Sequence, residues 1–120
     1  MRALERLRRR ADFLRAATSR RKWVTPSLIL QAMPRGTQPA SDAIRVGFTA
    51  SRKVGNAVIR NRARRRLRAA AAALLPGHAT AAFDYVLIAR AETPKRDYRL
   101  LLGDLEAALR RIDAWIADGH

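Results

Sequence analysis

From Arg52 to Arg68 the chain reads RKVGNAVIRNRARRRLR and carries eight basic side chains with no acidic one. Guanidinium groups fork phosphate oxygens in pairs and stack on bases, so arginine at this density points to polyanion binding. Laid on a helix at about 100° per residue, Ile59, Ala63, Leu67, Ala70 and Leu74 fall within one narrow arc, the stripe by which a helix docks on a core. Arg60, Arg64 and Arg68 form a row on one side of that stripe, and Arg62, Arg65 and Arg66 lie on the other. The segment is therefore anchored as well as charged, unlike a disordered basic tail. Like charges four residues apart destabilise an isolated helix, so the row Arg60, Arg64, Arg68 calls for an anion to offset it. Asn61 is a poor helix former in mid-helix, where its amide can instead bond a phosphate, ribose or base. Arg60 and Arg62 project about 200° apart. Either the two rows grip different polyanion strands, or one grips a polyanion while the other braces Asn61.

Hydrolytic chemistry has no comparable signature. A protein nuclease needs clustered carboxylates for metals or a histidine pair for proton transfer. The ten acidic residues share no ligand-like spacing, and His78 and His120 are isolated. No glycine-rich phosphate loop is present, and the absence of cysteine rules out thiolate sites.

The elements that must position the arginines follow from periodicity. Ile44, Val46, Phe48 and Ala50 alternate with Arg45, Gly47, Thr49 and Ser51, which predicts a strand with one apolar face. With Val46 and Phe48 facing the core, Thr49 and Ser51 lie on a polar face that Arg52 and Lys53 continue. Gly55 and Asn56 read as turn and cap, opening the arginine helix, which runs to Leu75 and stops at Pro76-Gly77. Upstream, Asp12 is placed to cap a short helix over Phe13 to Thr18. The segment from Trp23 to Met33 reads as strand, broken if Pro26 marks a bulge or edge, with Trp23 as half-buried cover. Pro34 to Asp42 reads as a hairpin loop. Tyr85 to Ala89 is a short buried strand. Thr93-Pro94 offers a cap and first-turn proline for a last helix of about five turns, with Tyr98, Leu102, Leu105, Ile112 and Trp115 in the core. The predicted order is α-β-β-β-α-β-α in a single α/β domain over residues 1–120, with a basic N-terminal segment over 1–11 and a body over 12–116.

The formal net charge is +15, from 25 Lys plus Arg against 10 Asp plus Glu, and Arg outnumbers Lys by 22 to 3. Between Phe13 and Phe83 only Asp42 is acidic, against fourteen basic residues. Such a field attracts phosphate backbones. No apolar run approaches the ~20 residues of a membrane span, and MRALERLRRR lacks the core of a signal peptide, so a cytoplasmic location is expected. Two competing readings are a structural RNA-binding protein and a DNA-binding regulator. The second would want a short helix before the arginine helix, where the sequence alternates as a strand instead.

Arg6-Leu7 with Asp12-Phe13, then VGFTASRKVGNAVIRNRARRRLR from Val46 to Arg68, then DYVLIARAET from Asp84 to Thr93, resemble the protein subunit of bacterial ribonuclease P. Arg60-Asn61-Arg62 stands at the family's signature Arg-Asn-Arg. The resemblance implies a two-layer α/β sandwich like the second domain of ribosomal protein S5, with a left-handed β-α-β crossover that the general right-handed rule would not give. It further implies that a large catalytic RNA with its Mg²⁺ cuts the 5′ leader from precursor tRNA, no cofactor being bound by the protein alone. Arg60, Asn61, Arg62, Arg64, Arg65 and Arg68 would contact the catalytic RNA. The leader would lie as a single strand in a cleft containing Phe13, Gln31, Thr49, Ser51, Arg52 and Lys53. Gln31 replaces a tyrosine found in some members, and Ala17 stands where a second aromatic is common, which shifts leader stacking onto Phe13, Trp23 or the arginines. Neither membrane nor DNA is an expected partner.

Overall fold

The computed structural model describes residues 2–35 and 43–116. The elements are β1 (Leu4–Arg6), α1 (Arg10–Ala17), β2 (Arg21–Val24), β3 (Leu28–Pro34), β4 (Ile44–Thr49), α2 (Ala57–His78), β5 (Phe83–Ala89) and α3 (Tyr98–Arg111). One five-stranded sheet has the order β1-β4-β5-β3-β2. β1 and β5 run parallel to β4, while β3 is antiparallel to both β5 and β2.

Strand alternation sorts the residues between two faces. Leu28, Leu30 and Ala32 of β3, Ile44 and Val46 of β4, and Tyr85 and Leu87 of β5 join Ala63, Leu67, Ala70, Leu101, Leu105 and Leu109 of α2 and α3 in the main core. On the opposite face a smaller cluster, Leu7, Ala16, Met33 and Val86 with Phe13 and Ile88 against it, seats α1. The sheet with α2 and α3 makes the expected sandwich, and α1 covers part of the free face.

Several boundaries differ from expectation, each for a physical reason. β1 was not announced by periodicity, because three residues at a sheet edge carry too little pattern. Its register Leu4↔Ile44 to Arg6↔Val46 is extended by Ile44 N–H to Ala3 O and Leu7 N–H to Val46 O. Asp12 does not cap α1, whose N-cap is Arg9. It sits in the first turn and pairs with Arg15 at 2.9 Å and Arg45 at 3.6 Å. The break at Pro26 is a turn: the Thr25 hydroxyl donates to Leu28 O and accepts from Leu28 N–H, closing the β2–β3 hairpin. Pro34 to Asp42 does not connect a hairpin, since β5 lies between β3 and β4; residues 36–42 lie outside the described ones. α2 continues past Pro76-Gly77 to His78, because a proline in the last turn leaves a single backbone acceptor unfilled. The Arg2 guanidinium caps this end by donating to Ala79 O at 2.5 Å. Thr93 does not open α3. Its hydroxyl accepts from Arg90 N–H and donates to Ser27 O, and Asp97 is the cap, accepting from Arg99 N–H at 2.9 Å. α3 is thus shorter at both ends, and Ile112 and Trp115 pack beyond it. Trp115 stacks on His78 at 4.2 Å.

Tyr85 is the largest fully buried side chain, and its hydroxyl donates to Thr80 O at 2.6 Å. Burial pushes its pKa above the ordinary 10.0, against the charges of Arg2 and Arg35. The folded chain therefore holds this proton more tightly than the unfolded chain. Its stabilisation is complete below about pH 10 and is lost as pH rises beyond, by up to ~1.4 kcal/mol per pH unit. Between about pH 9 and pH 11 the urea midpoint of the wild type is expected to fall more steeply than that of Tyr85→Phe; parallel curves would refute it.

Candidate nucleic-acid interface

α2 forms because Asn56 accepts from Ile59 N–H at 2.9 Å and small or apolar residues recur on one side. The buried stripe is Ala63, Leu67, Ala70, Ala71 and Leu75, with Leu74 partly covered. Ile59, expected within it, is 38% exposed in the first turn, before the helix settles on the sheet. Across 22 residues α2 has no acidic side chain.

The arginines divide by role. Arg66 is structural: its guanidinium donates to Thr93 O at 2.7 Å and to Arg96 O, bracing the loop before α3. Arg64 donates to Asn61 Oδ1 at 2.6 Å, so Asn61 is oriented by the row that contains Arg60 and Arg68. The Nε atoms of Arg60 and Arg68 are buried and have no hydrogen-bond partner. Arg62 and Arg65 are exposed. Val58, Asn61, Arg65 and Arg68 line an open cavity of about 440 Å³ along the outward face. A second, of about 350 Å³, is lined by Arg62, Arg65, Arg66, Ala69 and Tyr98. Tyr98, expected in the core, is 39% exposed, because α3 starts later than Thr93 and its first turn stands clear of the core.

The second region lies on the α1 face of the sheet. The register runs Thr49↔Ile88↔Ile29↔Val24 across four strands, beyond the part that α1 covers. Thr49, Ile88 and Ile29 are half-buried and Val24 is exposed, leaving an apolar ledge. Phe13 borders it from α1. Gln31 shares the face but is only 6% exposed, between Lys22 and Val86, so it offers the ledge little surface. β4 ends at Thr49; Ser51, Arg52 and Lys53 are exposed in the following turn, which Val54 N–H to Ser51 O closes. Trp23 is 40% exposed, with the Arg111 guanidinium 4.9 Å from its ring centre. Ile29, Ile88 and Val24 were missed in the sequence, although their alternation with the core residues of their strands carried the signal.

Phe13 reaches the sheet only because residue 47 is glycine. A Cβ there would lie 2.6 Å from two ring carbons of Phe13 and 3.3 Å from the Leu7 Cβ. Gly47→Ala is expected to cost about 1–3 kcal/mol by overpacking. Phe13→Leu in the same chain should recover part of that in a denaturant-unfolding cycle. Full additivity would refute the contact.

Beneath α1 lies an ion cluster that sequence spacing did not reveal. Asp84 on β5 is fully buried and meets Arg35 at 3.0 Å and Arg15 and Arg45 at 3.4 Å each. With Asp12 it ties α1, β4, β5 and the end of β3 together. Among the described residues no three His, Asp or Glu side chains come together as a possible metal site, and no helix is long and apolar enough to cross a membrane.

The family description Ribonuclease P matches residues 1–113. The chain is 62% identical over 112 residues to the ribonuclease P protein component of Paramagnetospirillum magneticum, covering 92% of this chain and 84% of that protein. It is 51% identical over 109 residues to that of Ruegeria pomeroyi, covering 90% and 86%. The RNase P protein of Thermotoga maritima superposes with a TM-score of 0.72 at 27% identity, covering 89% and 96%. That of Staphylococcus aureus, at 24% identity, shares the fold with a TM-score of 0.75, covering 92% and 97%.

Proposed function

We infer the function from the premise that this chain belongs to the ribonuclease P protein family. It is the protein component of a tRNA-processing endoribonuclease, so its partner is RNA within a ribonucleoprotein. In our reading, α2 binds the catalytic RNA through Arg60, Asn61, Arg62, Arg64, Arg65 and Arg68. The ledge beside Phe13 and Thr49 receives the 5′ leader of precursor tRNA as a single strand, with Ser51, Arg52 and Lys53 at its rim. The location is the cytoplasm.

The observation that carries this reading is the outward face of α2, where Asn61 is held by Arg64 beside the exposed Arg62 and Arg65 and no acidic side chain interrupts the helix. Arginines crowded on one helix face repel one another, and phosphate oxygens relieve that repulsion while accepting paired hydrogen bonds. Phosphate contacts position an RNA without reading its sequence, which suits leaders that differ among tRNAs. In this reading Mg²⁺ is held by the RNA partner, where it would supply the cleavage chemistry, while Asp12, Asp84 and Asp104 of the protein are engaged by arginines. The protein's residues neutralise phosphates, orient the two RNA elements and give leader bases an apolar bed.

The test is cleavage of a precursor tRNA by a bacterial catalytic RNA at low Mg²⁺, with and without the protein. Enhanced cleavage supports the reading. Tight RNA binding without enhancement would favour a structural RNA-binding role.

A further inference from the structure

We propose that the cavity between α2 and the start of α3 is a nucleobase site, where Tyr98 stacks on one unpaired base of the RNA partner and Arg62 and Arg65 hold the adjoining phosphates. The site presupposes that α2 binds RNA and adds to it a residue from another element.

The local fold leaves Tyr98 available. Asp97 caps α3 immediately before it, and the buried side of the helix begins only at Leu101. The ring therefore stands in the first turn at 39% exposure, beside the arginines of α2. It shares an open cavity of about 350 Å³ with Arg62, Arg65, Arg66 and Ala69. That volume lies in the range of small-ligand sites, roughly 300–1,000 Å³. Arg66 is a fixed wall, since Thr93 O and Arg96 O hold its guanidinium in place. Arg62 and Arg65 are exposed and able to turn toward a ligand. Ala69 contributes a flat patch without a competing side chain.

The composition selects the ligand class. Inorganic phosphate would be served by the arginines alone and would have no use for the ring. An apolar peptide would strip water from the arginines without pairing them, at a large desolvation cost. An aromatic ring beside two arginines matches a nucleotide, whose base offers a π-face and whose phosphates offer charge. Stacking is tolerant of base identity, so the site accepts any unpaired nucleotide that the RNA presents there.

The test is affinity for the catalytic RNA across a salt series, using wild type, Tyr98→Ala, Tyr98→Phe and Arg62→Ala/Arg65→Ala. Tyr98→Ala should weaken binding about 5- to 100-fold with an unchanged salt slope, because stacking releases no counterion. Tyr98→Phe should stay within about 3-fold of wild type, since the face and not the hydroxyl is used. The arginine pair should weaken binding and flatten the slope by roughly 1.4–1.8. Unchanged affinity of Tyr98→Ala alongside a weakened arginine pair would overturn the nucleobase site and leave the α2 reading standing. Equal loss in Tyr98→Ala and Tyr98→Phe would also overturn it. Absence of RNA binding by the wild type would remove both.

Discussion

Asp84→Ala is expected to destabilise the protein by about 3–5 kcal/mol, the range found when one partner of a buried ion pair is removed. The carboxylate is fully buried, with Arg35 3.0 Å from one oxygen and Arg15 and Arg45 each 3.4 Å from the other. Its removal leaves the Arg15, Arg35 and Arg45 guanidinium groups beneath α1 without the carboxylate they share. Domains of this size have roughly 6–18 kcal/mol in total, at 0.05–0.15 per residue, so the loss is a large share of the whole. Arg35 also donates to Ala43 O, so the cluster fixes the ends of β3 and β4 as well as α1. The urea midpoint should fall with an unchanged m-value, and Asp84→Asn, which retains an acceptor, should lose less. An unshifted midpoint for Asp84→Ala would mean that these arginines are satisfied by water.

The second large effect is on binding. Arg62→Ala/Arg65→Ala/Arg68→Ala is expected to lower affinity for the catalytic RNA about 100- to 500-fold at ~0.1 M salt and to flatten the log-log salt slope by roughly 2–2.7. The arithmetic takes one phosphate per arginine at a slope of ~0.7–0.9 each, which is about 5- to 8-fold apiece relative to ~1 M salt. Arg62 and Arg65 are exposed on the outward face of α2, and Arg68 lines the open cavity beside them. The free protein should therefore melt no lower than wild type, and relief of arginine repulsion along the helix can raise its midpoint. Loss of affinity with an unchanged slope would mean that the arginines act through packing and not through phosphate.

What the sequence disclosed was local. Asn56 as a cap, the alternation of β4 and the rows of α2 each depend on neighbours within a few positions, where spacing converts directly into geometry. Partners far apart in sequence were invisible. β3 and β4 look like a hairpin until β5, some forty residues later, inserts between them. Asp84 sits in a run of strand residues, and nothing near it indicates that Arg15, Arg35 and Arg45 converge there. Tyr98 was misplaced because Thr93-Pro94 is a plausible helix start, whereas Thr93 is drawn to Ser27 by a tertiary hydrogen bond. The candidate site split in the same way: the arginine helix was legible from its own periodicity, and the apolar ledge, assembled from four strands, was not.

The connection from β4 to α2 has a mechanical meaning. Only residues 50–56 separate the last residue of the ledge strand from the first of the arginine helix, and both elements are fixed to the same sheet. The two surfaces therefore cannot slide or rotate independently. On the proposed reading, a strand lying on the ledge and an RNA clasped by α2 would be set at a constant offset, and the protein would serve as a gauge block whose dimensions are written into its core.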